Sequence, residues 1–251
     1  MDRNPSVLTV AIRSYPRGLE RRTEAHAVIA VDVIRATTTA VTARALGHRC
    51  YPVTSVEAAM RVAARTPNAL LLGELRGVMP EGFHLNNSPA ALAARQDQRP
   101  IVLLSTNGTT LIDSLRDARV AFVACFRNMS ATVREIVRLG LSATLIGAIS
   151  RGQFRDEDQI CCAWIAARFL EEGYRPEDAE TAEVVRKWRD AGPRDLLGSR
   201  SVEYLRRSDQ LPDLDFILAH VDDLDFNCRI VGDQILGDPA RVERVVEAET
   251  R

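Results

Sequence analysis

The sequence predicts an α/β protein, in which a parallel or mixed sheet is covered on both faces by helices and followed by a helical extension. Three observations carry this expectation. Strand-like and helix-like runs alternate over the first 170 or so residues. The strand-like runs, HAVIAVDVI above all, are continuously apolar, as in strands buried on both faces. Beyond Gly173 the runs become mainly helical.

The elements follow in order. SVLTVAI and HAVIAVDVI read as strands, and ATTTAVTARALG as a helix closed by Gly47. RCYPV is a short strand. SVEAAMRVAARTP is a helix with Ser55 as N-cap and Pro67 past its end. ALLLGE is a strand running into the irregular LRGVMPEGFHLNN, followed by the helix SPAALAAR and the strand PIVLLS. TNGTTLIDSLRDA enters another helix, RVAFVAC is a strand, and NMSATVREIVRLG a helix. SATLIGAI is a strand and DEDQICCAWIAARFLEEG a long helix ended by Gly173. TAEVVRKWRDAG and SRSVEYLRRS follow as helices, LDFILAHVDDL is ambiguous, and CRIVGDQIL suits a hairpin around Gly232-Asp233. Residues 1–173 are therefore expected to form the core, and 174–251 a helical subdomain packed on it.

With 251 residues, 46% hydrophobic and 27% charged, the composition is that of an ordinary globular protein. The 33 basic and 34 acidic residues nearly cancel, so no global field favours nucleic acid or an anionic membrane as partner. Lys187 is the only lysine, so arginine supplies almost all positive charge. Five cysteines (Cys50, Cys125, Cys161, Cys162 and Cys228) make no CxxC pair and no zinc-like spacing, which suggests reduced, buried thiols. MDRNPSVLTV lacks signal-peptide character, and no apolar run approaches the roughly 18 residues of a membrane span. The expectation is a cytoplasmic protein without membrane or nucleic-acid partners; a homodimer is compatible with it.

Four polar segments stand where a strand's carboxyl end meets a loop or helix, the edge at which open α/β sheets bind ligands. In VDVIRATTT, exposed N–H groups and threonine hydroxyls at a helix start, with Arg35, would make an anion site; a threonine cap with Arg35 paired to Asp32 is the plainer alternative. STNGTT could converge backbone amides around Gly108, or be only a turn. GELRGVMPEGFHLNNSP offers Glu74 as metal ligand or mere surface acid, Arg76, and His84, which is more simply a surface histidine. SRGQFRDEDQICCAW gathers Arg151, Arg155, Asp156, Glu157 and Asp158, although acids in a first helical turn are expected from the helix dipole alone.

Hard carboxylates beside anion-binding turns suit Mg²⁺, and metal-assisted cleavage of a phosphate monoester fits the combination. Familiar phosphatase machinery is missing. Ile34 stands where a haloacid-dehalogenase-type enzyme needs its second aspartate, and there is no RHG, GxxxxGK[ST] or GxGxxG.

At these same segments, in the same order, the chain resembles the ComB family of 2-phosphosulfolactate phosphatases. That family carries DVxRATTT, a GE segment leading to GFxxxNSP, a TTNGT turn, and an acidic pair before a cysteine-containing helix. The likeness spans Val31 to Trp164 and continues more loosely through SRSVEYLRRSDQLPDLDFILAHVDD. Ser105, Trp164 and the DDLDFNCRIVGDQI ending depart from the pattern. The resemblance implies a three-layer α/β/α fold with a mixed, largely parallel sheet. It also implies Mg²⁺-dependent conversion of 2-phospho-3-sulfolactate to 3-sulfolactate and phosphate, a coenzyme M biosynthesis step. Asp32 then becomes the central carboxylate, as metal ligand or nucleophile, with Arg35 and Glu157 as catalytic partners. Glu74 and Asp158 would join Asp32 at the metal. Thr37, Thr38, Arg76, Asn87, Ser88, Thr106, Asn107, Gly108 and Thr109 would hold a small anionic phosphorylated substrate. A phosphatase of another small phosphorylated hydroxy acid, or a non-catalytic binder of an anionic metabolite, remains open on the sequence.

Overall fold

The computed structural model describes residues 7–21 and 26–237. The first part of SVLTVAI and the final stretch of the expected C-terminal subdomain lie outside them. Chain order is β1 (Thr9–Ser14), β2 (His26–Val31), α1 (Ala36–Ala45), β3 (Cys50–Val53), α2 (Val56–Arg65), β4 (Leu70–Gly73), α3 (Pro89–Ala93), β5 (Ile101–Leu104), α4 (Gly108–Ser114), β6 (Ala121–Ala124), α5 (Met129–Leu139) and β7 (Ser142–Gly147). The short pair β8 (Ile149–Ser150) and β9 (Gln153–Phe154) comes next, then α6 (Asp156–Glu171), β10 (Arg175–Pro176), α7 (Ala179–Trp188), α8 (Arg200–Arg207), α9 (Leu211–Ala219), β11 (Cys228–Val231) and β12 (Gln234–Leu236).

Local signals act where the sequence has them. Ser55 accepts the Ala58 N–H at 3.1 Å and starts α2. Gly140 ends α5 in the left-handed region, at φ 65°. Helix α1 needs another explanation, because its threonines are poor helix formers. It is buried from Ala36 to Arg44, so packing rather than propensity holds it helical. The ambiguous LDFILAHVDDL is helical at its start, in α9, whose opening Leu211-Pro212 suits a first helical turn.

Ten strands form one mixed sheet in the order β10-β1-β7-β2-β6-β11-β12-β3-β5-β4. It consists of two all-parallel blocks, β10-β1-β7-β2-β6 and β3-β5-β4. The antiparallel hairpin β11-β12 joins them, pairing with β6 on one side and β3 on the other. The layers are α/β/α. On one face α1 and α4 share a core with strands of both blocks, including Val28, Leu72, Leu103 and Val123. On the other face, α5, α6 and α7 pack on the first block around Phe122, Phe126 and Phe169, and α2 packs on the second.

The segment after Gly173 is more than the helical cap expected from its sequence. Its helices α7 to α9 lie on the core, but β10 extends one sheet edge and the hairpin sits inside the sheet. Asp222 and Asp223 lock the approach to that hairpin: Arg127 grips Asp223 through two bonds of 3.1 and 2.6 Å, and Asp222 accepts Ser130 N–H at 2.9 Å. All five cysteines are free and buried, and burial pushes the Cys161 and Cys162 thiols well above their usual range, as expected for packing rather than nucleophilic residues. No described helix is long and apolar enough to cross a membrane.

Ile235 is fully buried between the blocks. Ile235→Ala should therefore cost about 2–5 kcal/mol in denaturant unfolding. A loss below about 1 kcal/mol would show that the hairpin is peripheral to the sheet.

Candidate active site

Strand register brings the polar segments together. Val31 lies level with Gly147, and Gly73 with Leu104. Asp32 and Ala148 therefore leave the first block side by side, and Glu74 and Ser105 leave the second. These carboxyl ends line one cleft of about 610 Å³. Arg35, Arg76, Asn87, Thr106, Asn107, Glu157 and Asp158 also line it, as do Arg151, Arg155, Arg200 and Arg207.

Two turns of similar design build its floor. Thr37 Oγ1 donates to the Asp32 carbonyl at 2.8 Å and accepts the Asp32 N–H at 3.0 Å. Thr109 Oγ1 likewise donates to the Ser105 carbonyl at 2.6 Å and accepts the Ser105 N–H at 2.9 Å. Thr38 Oγ1 donates to the Val33 carbonyl at 2.8 Å. Thr37, Thr38 and Thr109 are thus buried and spend their hydroxyls on the backbone; they shape the turns and do not line the cleft. The start of α1 is likewise served by the chain itself, with the Ala36 N–H directed at Asp32 Oδ1 at 3.4 Å.

Gly108 is the point of closest approach between the turns. A Cβ there would stand 2.2 Å from Asp32 Oδ2 and 2.3 Å from the Ala36 Cβ. Gly73, at φ 152°, has no room either, since its Cβ would meet the Leu104 carbonyl oxygen at 2.1 Å. The glycine of each motif therefore serves close packing between strand ends.

Five carboxylates line the cleft: Glu203 on α8, paired with Arg206 and Arg207, and four others in two environments. Glu74 is held by its own loop and by the turn after β5: Oε1 accepts Thr106 N–H at 2.8 Å and the Ser105 hydroxyl at 3.2 Å, and Oε2 accepts Gly77 N–H at 2.6 Å and the Thr106 hydroxyl at 2.9 Å. Asp32, Glu157 and Asp158 are 6%, 1% and 3% exposed. Burial pushes the Asp32 carboxyl up to about 7, against the Ala36 N–H and with help from the charges of Glu157 and Glu74. Burial also raises Asp158, reinforced by Asp32 and Glu157, although its Oδ1 accepts Val33 N–H at 2.7 Å. Burial raises Glu157 too, while the Ser201 and Ser199 hydroxyls oppose the shift. Its Oε2 is buried without a hydrogen-bond partner.

Arg35 does not pair with Asp32, as the plainer reading of VDVIRATTT has it. It forms a buried ion pair with Asp213 of α9, whose Oδ1 also accepts the Ser88 hydroxyl at 2.5 Å. Ser88 itself caps α3 and stands off the cleft, whereas Asn87 lines it with Oδ1 buried and unpartnered. His84 is outside the cleft, its Nδ1 accepting the Leu71 N–H at 3.0 Å. Asp213 and the α8 wall of Arg200, Ser201, Tyr204 and Arg207 escape sequence reasoning. Their segment is the loosely matching one, and nothing in its spacing marks an inward-facing group.

Among the described residues no three His, Cys, Asp or Glu side chains are grouped to hold a metal ion by themselves. A magnesium ion that keeps several waters needs only one or two carboxylates. The oxygen-only donor set of Asp32 and Asp158 fits such an ion; Glu74, with both oxygens engaged by its own loop and the 105–106 turn, fits it less well.

Fold and site together define an α/β protein with an arginine- and carboxylate-lined cleft at its strand ends. The chain belongs to the 2-phosphosulpholactate phosphatase family, whose sequence model matches residues 14–226. Three relatives, each called a probable 2-phosphosulfolactate phosphatase, illustrate the similarity. The Pseudothermotoga lettingae protein is 36% identical over 141 residues, covering 56% of this chain and 61% of its own. The Carboxydothermus hydrogenoformans protein is 32% identical over 166 residues, 66% and 69% of the two chains. The Synechococcus sp. CC9605 protein is 31% identical over 229 residues, 86% and 89% of the two chains. Against the Pseudothermotoga and Symbiobacterium thermophilum relatives, the match spans only about three fifths of their length.

Two outcomes follow. Gly108→Ala should push Asp32 out of place and reduce anion binding or turnover at least tenfold; unchanged behaviour with an intact fold would mean that the turns need not touch. Because the buried Asp32 carboxyl is raised from 3.8 to about 7, folding favours its protonated form, and its stabilising share is lost as pH rises from about 4 to about 7. In metal-free buffer the wild-type Tm should fall more steeply between about pH 4 and about pH 7 than that of Asp32→Asn. Parallel curves would mean that Asp32 is ionised throughout.

Proposed function

We propose that the cleft hydrolyses a small phosphate monoester bearing further anionic groups, 2-phospho-3-sulfolactate, to 3-sulfolactate and phosphate. The names of the relatives suggest this substrate. The observation that carries the reading is the meeting of three buried carboxylates, each raised by burial, with several arginines at one set of strand ends. A pure anion binder gains nothing from acids beside its ligand, whereas phosphoryl transfer uses both kinds of group.

In this mechanism Arg35, Asn87 and the 105–107 turn hold the phosphoryl group in the cleft, and Glu74 keeps that turn in shape. The arginine rim, Arg76, Arg151, Arg155 and Arg200, faces the carboxylate and sulfonate of the substrate, where planar guanidinium donors suit such oxyanions. Asp32 and Asp158, with Glu157 beside them, would hold Mg²⁺, which supplies charge neutralisation at the phosphoryl oxygens when bound. Glu157, raised by burial, is suited to hold a proton and deliver it to the leaving oxygen. The reaction would be of the type used in coenzyme M biosynthesis.

The test is phosphate release from racemic 2-phosphosulfolactate with and without Mg²⁺. Wild type should show metal-dependent release, and Asp32→Asn should lose at least 10³-fold in kcat/KM, about 4 kcal/mol of transition-state stabilisation. Turnover of phospholactate or phosphoglycerate instead would keep the chemistry and change the substrate. Binding of all of these without turnover would overturn the enzymatic reading.

A further inference from the structure

We infer that Asp213 is a positioning residue of this cleft. It would orient Arg35 and the Asn87–Ser88 loop toward the phosphoryl group; the inference rests on the phosphatase reading above. Asp213 lies in the first turn of α9, far in sequence from every motif segment, and is 2% exposed. Its carboxylate gathers donors from two separate elements. Oδ2 takes Arg35 NH1, from the residue that precedes α1, and the side chains of the pair are only 3% and 2% exposed. Oδ1 accepts the Ser88 hydroxyl at 2.5 Å and the Ala90 N–H at 3.2 Å, both at the start of α3.

The consequences for the cleft are specific. A guanidinium with one nitrogen held by a buried carboxylate is restricted in where its remaining donors point, and Arg35 lines the cleft. Ser88, fixed from behind by Asp213, in turn accepts the Ala91 N–H at 3.0 Å. The residue before it is Asn87, whose unpartnered Oδ1 belongs to the cleft lining. One side chain from the C-terminal part of the chain therefore sets two ligand-facing groups that lie on different elements. A buried pair of this kind is weak evidence for stability, since apolar replacement of both partners is often tolerated. Its position between two cleft-lining segments is what points to orientation.

If Asp213 acts through Arg35, its removal should matter only while Arg35 is present. The experiment compares wild type, Asp213→Asn, Arg35→Gln and the double variant. It measures kcat/KM on 2-phosphosulfolactate and, independently, the Kd for inorganic phosphate by calorimetry. Asp213→Asn retains an acceptor for Ser88 and the volume of the side chain, so the fold should survive. We expect it to lower kcat/KM at least tenfold and to weaken phosphate binding at least threefold. In the Arg35→Gln background the same change should cost less than twofold in either quantity. Multiplying effects, or an Asp213→Asn protein within twofold of wild type, would overturn the proposal. Tighter phosphate binding in Asp213→Asn would also overturn it, because that result assigns Asp213 as a counter-charge only. Should wild type bind phosphate without hydrolysing the ester, the phosphatase reading fails while the binding cycle still decides the role of Asp213.

Discussion

Keeping several acids out of water beside one another, at a site that must also attract an anion, is the constraint on which the rest of this molecule depends. Asp32, Glu157 and Asp158 are buried in mutual reach, and each is pushed toward its protonated form. Left alone, such a cluster would open or fill with water. Here it is held by the sheet beneath it, by the Val33 N–H on Asp158 and by the opposing turn at Gly108, which leaves no room for a side chain. Thr37, Thr38 and Thr109 serve this end. They consume the backbone polar groups of the turns internally, so that the carboxylates, rather than the main chain, face the cleft.

Positive charge is distributed differently. Arg35 is buried and tethered, whereas Arg76, Arg151 and Arg200 are exposed around the rim. The interior cation is fixed by a counter-ion, and the outer ones can adapt to ligand groups that vary in shape. Arginine is suited to both duties because it remains charged under all conditions and binds oxyanions through a planar fork. With Lys187 exposed beside Trp188 on α7, no lysine takes part.

Much of the fold could be read directly from the chain. The apolar runs gave the strands, and Ser55, Gly47 and Gly173 marked helix ends by mechanisms that are local and therefore visible. The four polar segments could be placed at strand ends because each interrupts a buried pattern. What stayed hidden is what depends on distant partners. Thr37 and Thr38 looked like ligand donors, since a hydroxyl's choice between backbone and ligand is decided by burial. Asp213 carried no signal at all: an aspartate in a first helical turn is ordinary, and only the packing of α9 on α3 turns it toward Arg35. The hairpin's turn was legible in CRIVGDQIL, but its insertion between two blocks was not, because strand neighbours that are far apart in sequence leave no local trace.

That insertion also orders events in time. The strands of both blocks are complete once β10 has been made, yet the last strand between them, β12, ends at Leu236. A nascent chain therefore carries two unfinished sheets, with the edges of β6 and β3 open, until Leu236 has left the ribosome. Open edges of apolar strands invite pairing with other chains. The joint of greatest sequence separation is the last to close and governs how long the vulnerable state persists. A premature stop before Cys228 would leave both halves of the sheet unjoined.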